Sequence, residues 1–186
     1  MTLLLAAVAG YLLGAVSPAT LLARRAGADL RASGSGNPGA TNVGRVLGPR
    51  AGVAVAVLDV LKGAVPAAAF GLLVSHQAGL VAGLAAMLGH VSSPFLRGHG
   101  GKGVATAAGA VLGSHVLWAP FVLLAWVLVV SVTRWVALAS VVAALSIALV
   151  AVLVRAPATD LAWALAIASV VVFRHRTNFV RWWRNR

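Results

Sequence analysis

Three short segments hold most of the polar chemistry in this chain of 186 residues. The first runs Ser33-Gly-Ser-Gly-Asn-Pro-Gly-Ala-Thr-Asn-Val-Gly-Arg45. Its glycines, Gly34, Gly36, Gly39 and Gly44, let backbone amides approach an anion and form concave nests. Ser35, Asn37, Thr41 and Asn42 add hydroxyl and amide donors, with Ala40 between them, and Arg45 adds a fork suited to phosphate or carboxylate. A flexible solvated loop is the plainer reading, but it gives no reason for asparagine, threonine and arginine so regularly placed. The second segment, Gly98-His-Gly-Gly-Lys-Gly-Val-Ala-Thr106, leads directly into an apolar run. Glycines ahead of a helix leave N–H groups and the positive dipole end for an anion, and Lys102 among Gly100, Gly101 and Gly103 adds a full charge. It is not a nucleotide-binding P-loop, because Leu96 stands where the first glycine is needed and Gly103 where a Ser or Thr is needed. The third segment is Arg174-His-Arg-Thr-Asn-Phe-Val-Arg181. On a helix, His175 and Asn178 share a face with Arg174, whereas Arg176, Arg181, Arg184 and Arg186 read as membrane-surface anchors.

The elements that must hold these segments follow from composition. Hydrophobic residues make up 61% of the chain and charged residues 10%, with a mean hydropathy of +0.97. Soluble domains carry about 45–50% apolar and about 25% charged residues, so no water-soluble surface can be assembled here. The absence of cysteine excludes a disulfide scaffold, and the hydropathy excludes disorder. A polytopic, all-α membrane protein remains, read as one domain over residues 1–186. The net charge of +12 does not point to nucleic acid, because the basic residues sit in short pieces between apolar runs. Acids are limited to Asp29, Asp59 and Asp160, and no histidine pair has ligand spacing with a carboxylate or thiol nearby, so no metal site is expected.

Apolar runs cover about Leu3–Ala23, Ala51–Val74, Ala78–Leu96, Val104–Ala119, Pro120–Val132, Trp135–Val154 and Ala158–Phe173. The stretch Val104–Val132 is long for one span and short for two, since a crossing takes about 20 residues. Ser114, His115 and Pro120 suggest a break. Charge decides it. With seven spans and Met1 outside, Arg24, Arg25, Arg31, Arg45, Arg50, Arg97, Lys102, Arg134 and the C-terminal arginines all lie inside, and only Arg155 lies outside. Merging the stretch would carry Arg134 and those arginines across the membrane. The expectation is therefore seven transmembrane helices, N-terminus outside and C-terminus cytoplasmic, which puts all three polar segments on one membrane face.

Asp59 and Lys62 fall about 12 Å into the second run and share a helix face. They read as a structural ion pair or as a pair that positions a catalytic loop. His76 and His115 fall at outer ends, where interfacial solvation accounts for them, and His90 lies shortly before the Lys102 loop. Gly14, Ser17 and Pro18 read as packing and kink residues.

The three blocks, Ser33–Asn42, Gly100–Thr106 and Arg174–Asn178, resemble those of the bacterial acyl-phosphate:glycerol-3-phosphate acyltransferases (PlsY type). Further likenesses are Asp59-Val-Leu-Lys62-Gly63, Gly89-His90 before Pro94-Phe95, and Thr133-Arg-Trp-Val with Ser140. They run in family order over nearly the whole chain. The resemblance implies a seven-helix inner-membrane enzyme with its active site facing the cytoplasm. It implies transfer of a fatty acyl group from acyl phosphate to the sn-1 hydroxyl of glycerol 3-phosphate, giving lysophosphatidic acid and phosphate without cofactor or metal. Ser35, Lys102, His175 and Asn178 become the catalytic candidates. Gly36, Asn37, Gly39, Ala40, Thr41, Asn42, Arg45, Gly100, Gly101 and Gly103 become the substrate-binding ones. The chain departs from the family pattern at Pro38, His99, Ala137 and Thr177, none of which removes a catalytic candidate. A proton acceptor can be His175 or the departing phosphate, and a covalent acyl-Ser35 stays open. A transporter for phosphate-bearing metabolites is the rival reading; it would place its anion site near the bilayer midplane.

Overall fold

The computed structural model describes residues 1–184, so Arg186 of the anchor series lies outside the described residues. Every regular element among the described residues is helical. The order is α1 (Thr2–Ala15), α2 (Pro18–Arg25), α3 (Ala40–Leu47), α4 (Pro49–Leu73), α5 (His76–Val91), a 3₁₀ turn (Pro94–Leu96), α6 (Val104–Ser114), α7 (Ala119–Thr133), α8 (Val136–Leu153) and α9 (Ala158–Arg184). By length and composition, five helical stretches can cross a membrane: Thr2–Arg25, Pro49–Leu73, His76–Leu96, Val136–Leu153 and Ala158–Arg184. Helices α6 and α7 are apolar but shorter. The stretch from Val104 to Val132 is thus two helices, broken where Ser114, His115 and Pro120 suggested.

Local chemistry sets the boundaries. Pro18 has no N–H to continue α1, and the Ser17 hydroxyl caps α2 by accepting from the Thr20 N–H at 3.3 Å. Ser75 caps α5 in the same way through the Ala78 N–H. Gly48, at φ +93°, turns α3 directly into α4, which starts on Pro49.

The chain divides into two compact units, Met1–Ser114 and His115–Arg186. In the first, α1 packs on α5 and α4 on α6. Both contacts are seams of small residues. A Cβ on Gly10 or Gly14 would run into the backbone of Ala82 or Ala86. One on Gly63 would strike the Thr106 carbonyl, and one on Gly109 the Val60 carbonyl. Lipid tails are as apolar as leucine, so such backbone-to-backbone packing supplies the attraction that hydrophobic burial gives in water. Many of the leucines and valines instead face outward, as at Leu58, Leu61 and Val65 of α4.

In the second unit α8 packs between α7 and α9. Its buried side, Ala137, Ser140, Ala144, Ile147 and Ala151, repeats at helical spacing, and so does that of α9, Ala164, Ile167, Ala168 and Val171. Trp126 of α7 donates to the Ser140 hydroxyl at 3.4 Å. His115 departs from the sequence expectation. It is not solvated: its Nε2 lies 3.7 Å from the buried Asp160 carboxylate and its ring stacks on Trp118, with 3.9 Å between ring centroids.

Candidate active site

The first polar segment is a built loop. Asp29 begins it by accepting from the Arg31 N–H (2.7 Å) and the Ala32 N–H (3.4 Å), an Asx-type turn. Asn42, buried in the first turn of α3, then ties the loop to the helix. Its Oδ1 accepts from the Ser35 N–H at 2.8 Å, and its Nδ2 donates to the carbonyls of Leu30 (3.2 Å) and Ser33 (3.1 Å). Gly34, at φ +61°, lies so close to that amide that any side chain would displace it. The sequence reading made Asn42 a donor to substrate. The structure instead spends its amide on the loop, so Asn42 is the residue that places Ser35. Ser35, Thr41 and Arg45 are exposed, and Gly36, Asn37, Gly39 and Ala40 are half-buried. The backbone passes through Gly36 at φ +71° and enters α3 at Gly39, whose carbonyl accepts from Asn42 and Val43.

The second segment rests on the end of α5. The N–H groups of Gly100 and Gly101 donate to the carbonyls of Val91 (3.0 Å) and His90 (3.1 Å). Neither glycine has room for a Cβ, which would strike the His90 carbonyl at Gly100 and the His90 ring at Gly101. Gly103, at φ +84° against Met87 and Val91, turns the chain into α6. Lys102, half-buried, therefore stands between two fixed glycines just ahead of a helix N-terminus. Just ahead of the first segment, the Arg31 guanidinium reaches across and donates to the His99 carbonyl of the second. Sequence reasoning passed over that brace; the only local hint was Asp29 two residues before Arg31.

The membrane-embedded charges of the first unit lie behind these loops. Lys62 Nζ sits 3.1 Å from Asp59 Oδ1 and donates to the Val16 carbonyl at 2.8 Å, at the break between α1 and α2. His90 Nδ1 is 3.6 Å from the same Asp59 oxygen. Ser93, also buried, donates to the Ala15 carbonyl at 2.6 Å.

The third segment continues α9 without interruption. His175 is buried, and its Nδ1 lies 2.8 Å from the Val171 carbonyl. A carbonyl only accepts, so Nδ1 carries the proton and the lone pair of a neutral ring falls on Nε2. Asn178, one turn on, is half-buried. Arg176 turns back to donate to the Phe173 carbonyl (2.9 Å) and lies over the Phe173 ring (3.8 Å), in keeping with an anchor. Trp135 stacks on Trp182 with 5.0 Å between centroids, an aromatic pair of the kind found at membrane surfaces.

This arrangement of glycine loops on apolar helices is matched among known proteins. The family described as glycerol-3-phosphate acyltransferase matches residues 4–185. The chain belongs to the glycerol-3-phosphate acyltransferase family. It is 42% identical to the glycerol-3-phosphate acyltransferase of Geotalea daltonii, covering 94% of this chain and 90% of that one. It is 40% identical to that of Aquifex aeolicus, covering 97% and 95%. Among solved structures it is similar to PlsY (YgiH), an integral membrane glycerol 3-phosphate acyltransferase, in its glycerol 3-phosphate form. There the TM-score is 0.96 at 38% identity, over 100% of this chain and 94% of that one. The lysophosphatidic acid form of the same protein gives a TM-score of 0.93 at 37% identity. Family membership makes the chain an integral membrane acyltransferase of lipid synthesis and leaves the transporter reading without support.

Proposed function

We propose that the chain, acting as one domain, transfers a fatty acyl group from acyl phosphate to the sn-1 hydroxyl of glycerol 3-phosphate, releasing lysophosphatidic acid and phosphate. The observation that carries this reading is the pairing of two braced glycine loops, Ser33–Asn42 and Gly98–Gly103, in a chain of this family. Both substrates present phosphate, and each loop runs into the N-terminal turn of a helix with a cation nearby, Arg45 for α3 and Lys102 for α6. The N–H groups of Ser35, Gly36, Gly39, Gly100 and Gly101 are spent on holding the loops in shape.

In this reading the Ser35–Asn42 loop holds the acyl phosphate, while Arg45, Lys102, His175 and Asn178 bind glycerol 3-phosphate and orient its hydroxyl. An apolar groove of about 330 Å³ beside the break between α1 and α2, lined by Leu13, Val16, Leu58, Leu61 and Val65, suits the acyl chain. The sn-1 oxygen attacks the carbonyl carbon, the C–O bond to phosphate breaks, and the attacking oxygen loses its proton. Acyl phosphate is a reactive mixed anhydride, so holding the two reactants in register supplies about 7–11 kcal/mol of the barrier. The amides of those first helical turns and Lys102 stabilise the charge that develops. The departing phosphate is the preferred proton acceptor, because no carboxylate stands in the three blocks; Nε2 of His175 is the alternative. The same reading gives seven crossings of the bacterial inner membrane, N-terminus out and C-terminus in. It sets the active site at the cytoplasmic face and needs no cofactor or metal.

Purified protein given synthetic acyl phosphate and glycerol 3-phosphate should form lysophosphatidic acid. Product from acyl-CoA but not from acyl phosphate would overturn the donor assignment. Acylated enzyme trapped in the absence of glycerol 3-phosphate would replace direct transfer with a covalent Ser35 route.

A further inference from the structure

Asp59 lies on α4, remote in sequence from all three polar segments, and its side chain is only 3% exposed. A buried ion pair is weak evidence for stability, since apolar replacements of similar volume often serve as well. What distinguishes this pair is where its two arms lead. Along one, Lys62 holds the Val16 carbonyl at the break between α1 and α2, where the Thr20 N–H that a continuous helix would direct to it bonds the Ser17 hydroxyl instead. Along the other, Asp59 Oδ1 faces His90 Nδ1 at 3.6 Å. The opposite edge of that ring lies flush against Gly101, where a Cβ would collide with His90 Nε2, and the His90 carbonyl accepts the Gly101 N–H at 3.1 Å. Lys102 is the next residue.

We propose that Asp59 is a positioning residue for glycerol 3-phosphate: by orienting His90 beneath Gly101, it sets where Lys102 stands. The carboxylate touches no substrate. It fixes the ring rotamer, and the ring supports the glycine backbone from below while the His90 and Val91 carbonyls hold it from the side. The lysine that follows then has one position from which to reach. The inference rests on the reading that Lys102 contacts glycerol 3-phosphate.

The test is the affinity of the purified full-length protein for glycerol 3-phosphate without any acyl donor, together with thermal unfolding. Asp59→Asn, His90→Asn and Lys102→Met are compared singly, and Asp59→Asn is repeated in the Lys102→Met background. Asp59→Asn and His90→Asn should each weaken binding by roughly tenfold, within the range seen for residues coupled by contact. In the Lys102→Met background Asp59→Asn should weaken it no further. His90→Asn leaves the Asp59–Lys62 pair intact, so it gives the answer should Asp59→Asn fail to fold. A merely structural pair would lower the unfolding temperature and either leave affinity unchanged or add its loss to that of Lys102→Met; both results would overturn the proposal. If Lys102→Met bound glycerol 3-phosphate as tightly as wild type, the underlying site reading would fall and the proposal with it. Weak binding in Lys102→Met beside wild-type affinity in Asp59→Asn and His90→Asn would overturn the positioning role alone.

Discussion

At the scale of single residues, Asn42 shows how a side chain typed for ligand binding can serve the loop instead. Its amide makes three hydrogen bonds, one to the Ser35 backbone and two to carbonyls upstream. Asn42→Ala leaves those groups to find water or remain unsatisfied, at about 1–3 kcal/mol per buried group. The expected outcome is a lower unfolding temperature and a fall in turnover of at least about tenfold. Asn42→Asp should be no better, because a carboxylate keeps the bond to Ser35 but turns an oxygen toward two carbonyls. Wild-type turnover in Asn42→Asp, measured by product formation, would show that the two donor bonds do not matter. His175→Gln separates the proton routes. If His175 is the base, turnover is abolished with glycerol 3-phosphate binding intact; if the phosphate takes the proton, turnover survives in part.

At the scale of elements, the helices meet through glycine where leucine would fill the gap in a soluble protein. Gly109 of α6 faces the Val60 carbonyl of α4 too closely for any side chain, whereas Gly71 of α4 has only the Gly79 Cα, 3.8 Å from where its Cβ would stand. Gly109→Ala should therefore force α4 and α6 apart, at about 1–3 kcal/mol. Gly71→Ala should be neutral or slightly stabilising, since alanine is the better helix former by about 1 kcal/mol. Thermal unfolding of the two variants side by side checks this, and equal unfolding temperatures would contradict the seam. The seam was only partly legible beforehand. Gly14 could be read as a packing residue, but which glycines touch backbone depends on how the helices are paired, and spacing along one helix does not reveal its partner.

At the scale of the whole molecule, the proposed topology places both glycine loops on one side of the membrane and the turn between α8 and α9 on the other. The chain has no native cysteine, so single cysteines report their compartment without background. Cysteines replacing the exposed Ala32 and Phe95 should react with a membrane-impermeant thiol reagent only after the cytoplasmic side is opened. One replacing the exposed Thr159, at the start of α9, should react in intact spheroplasts. Labelling of Ala32→Cys and Thr159→Cys from the same side would remove the seven-span arrangement.

Membrane residence, the family and the positions of the long apolar helices could be derived from the sequence, for physical reasons, whereas α3, which begins inside the segment read as a loop, could not. Lipid demands long apolar runs, Pro and Ser mark where backbone bonds stop, and anion chemistry needs glycine beside fixed cations, so each leaves a local trace in composition or spacing. The work of Asn42, the Arg31–His99 brace and the reach of Asp59 through His90 to Gly101 left no such trace. They join residues up to 68 positions apart, and a hydrogen bond depends on separations of about 3 Å in space. Only the folded chain decides those separations, because helix pairing, not order along the polymer, selects which polar groups meet.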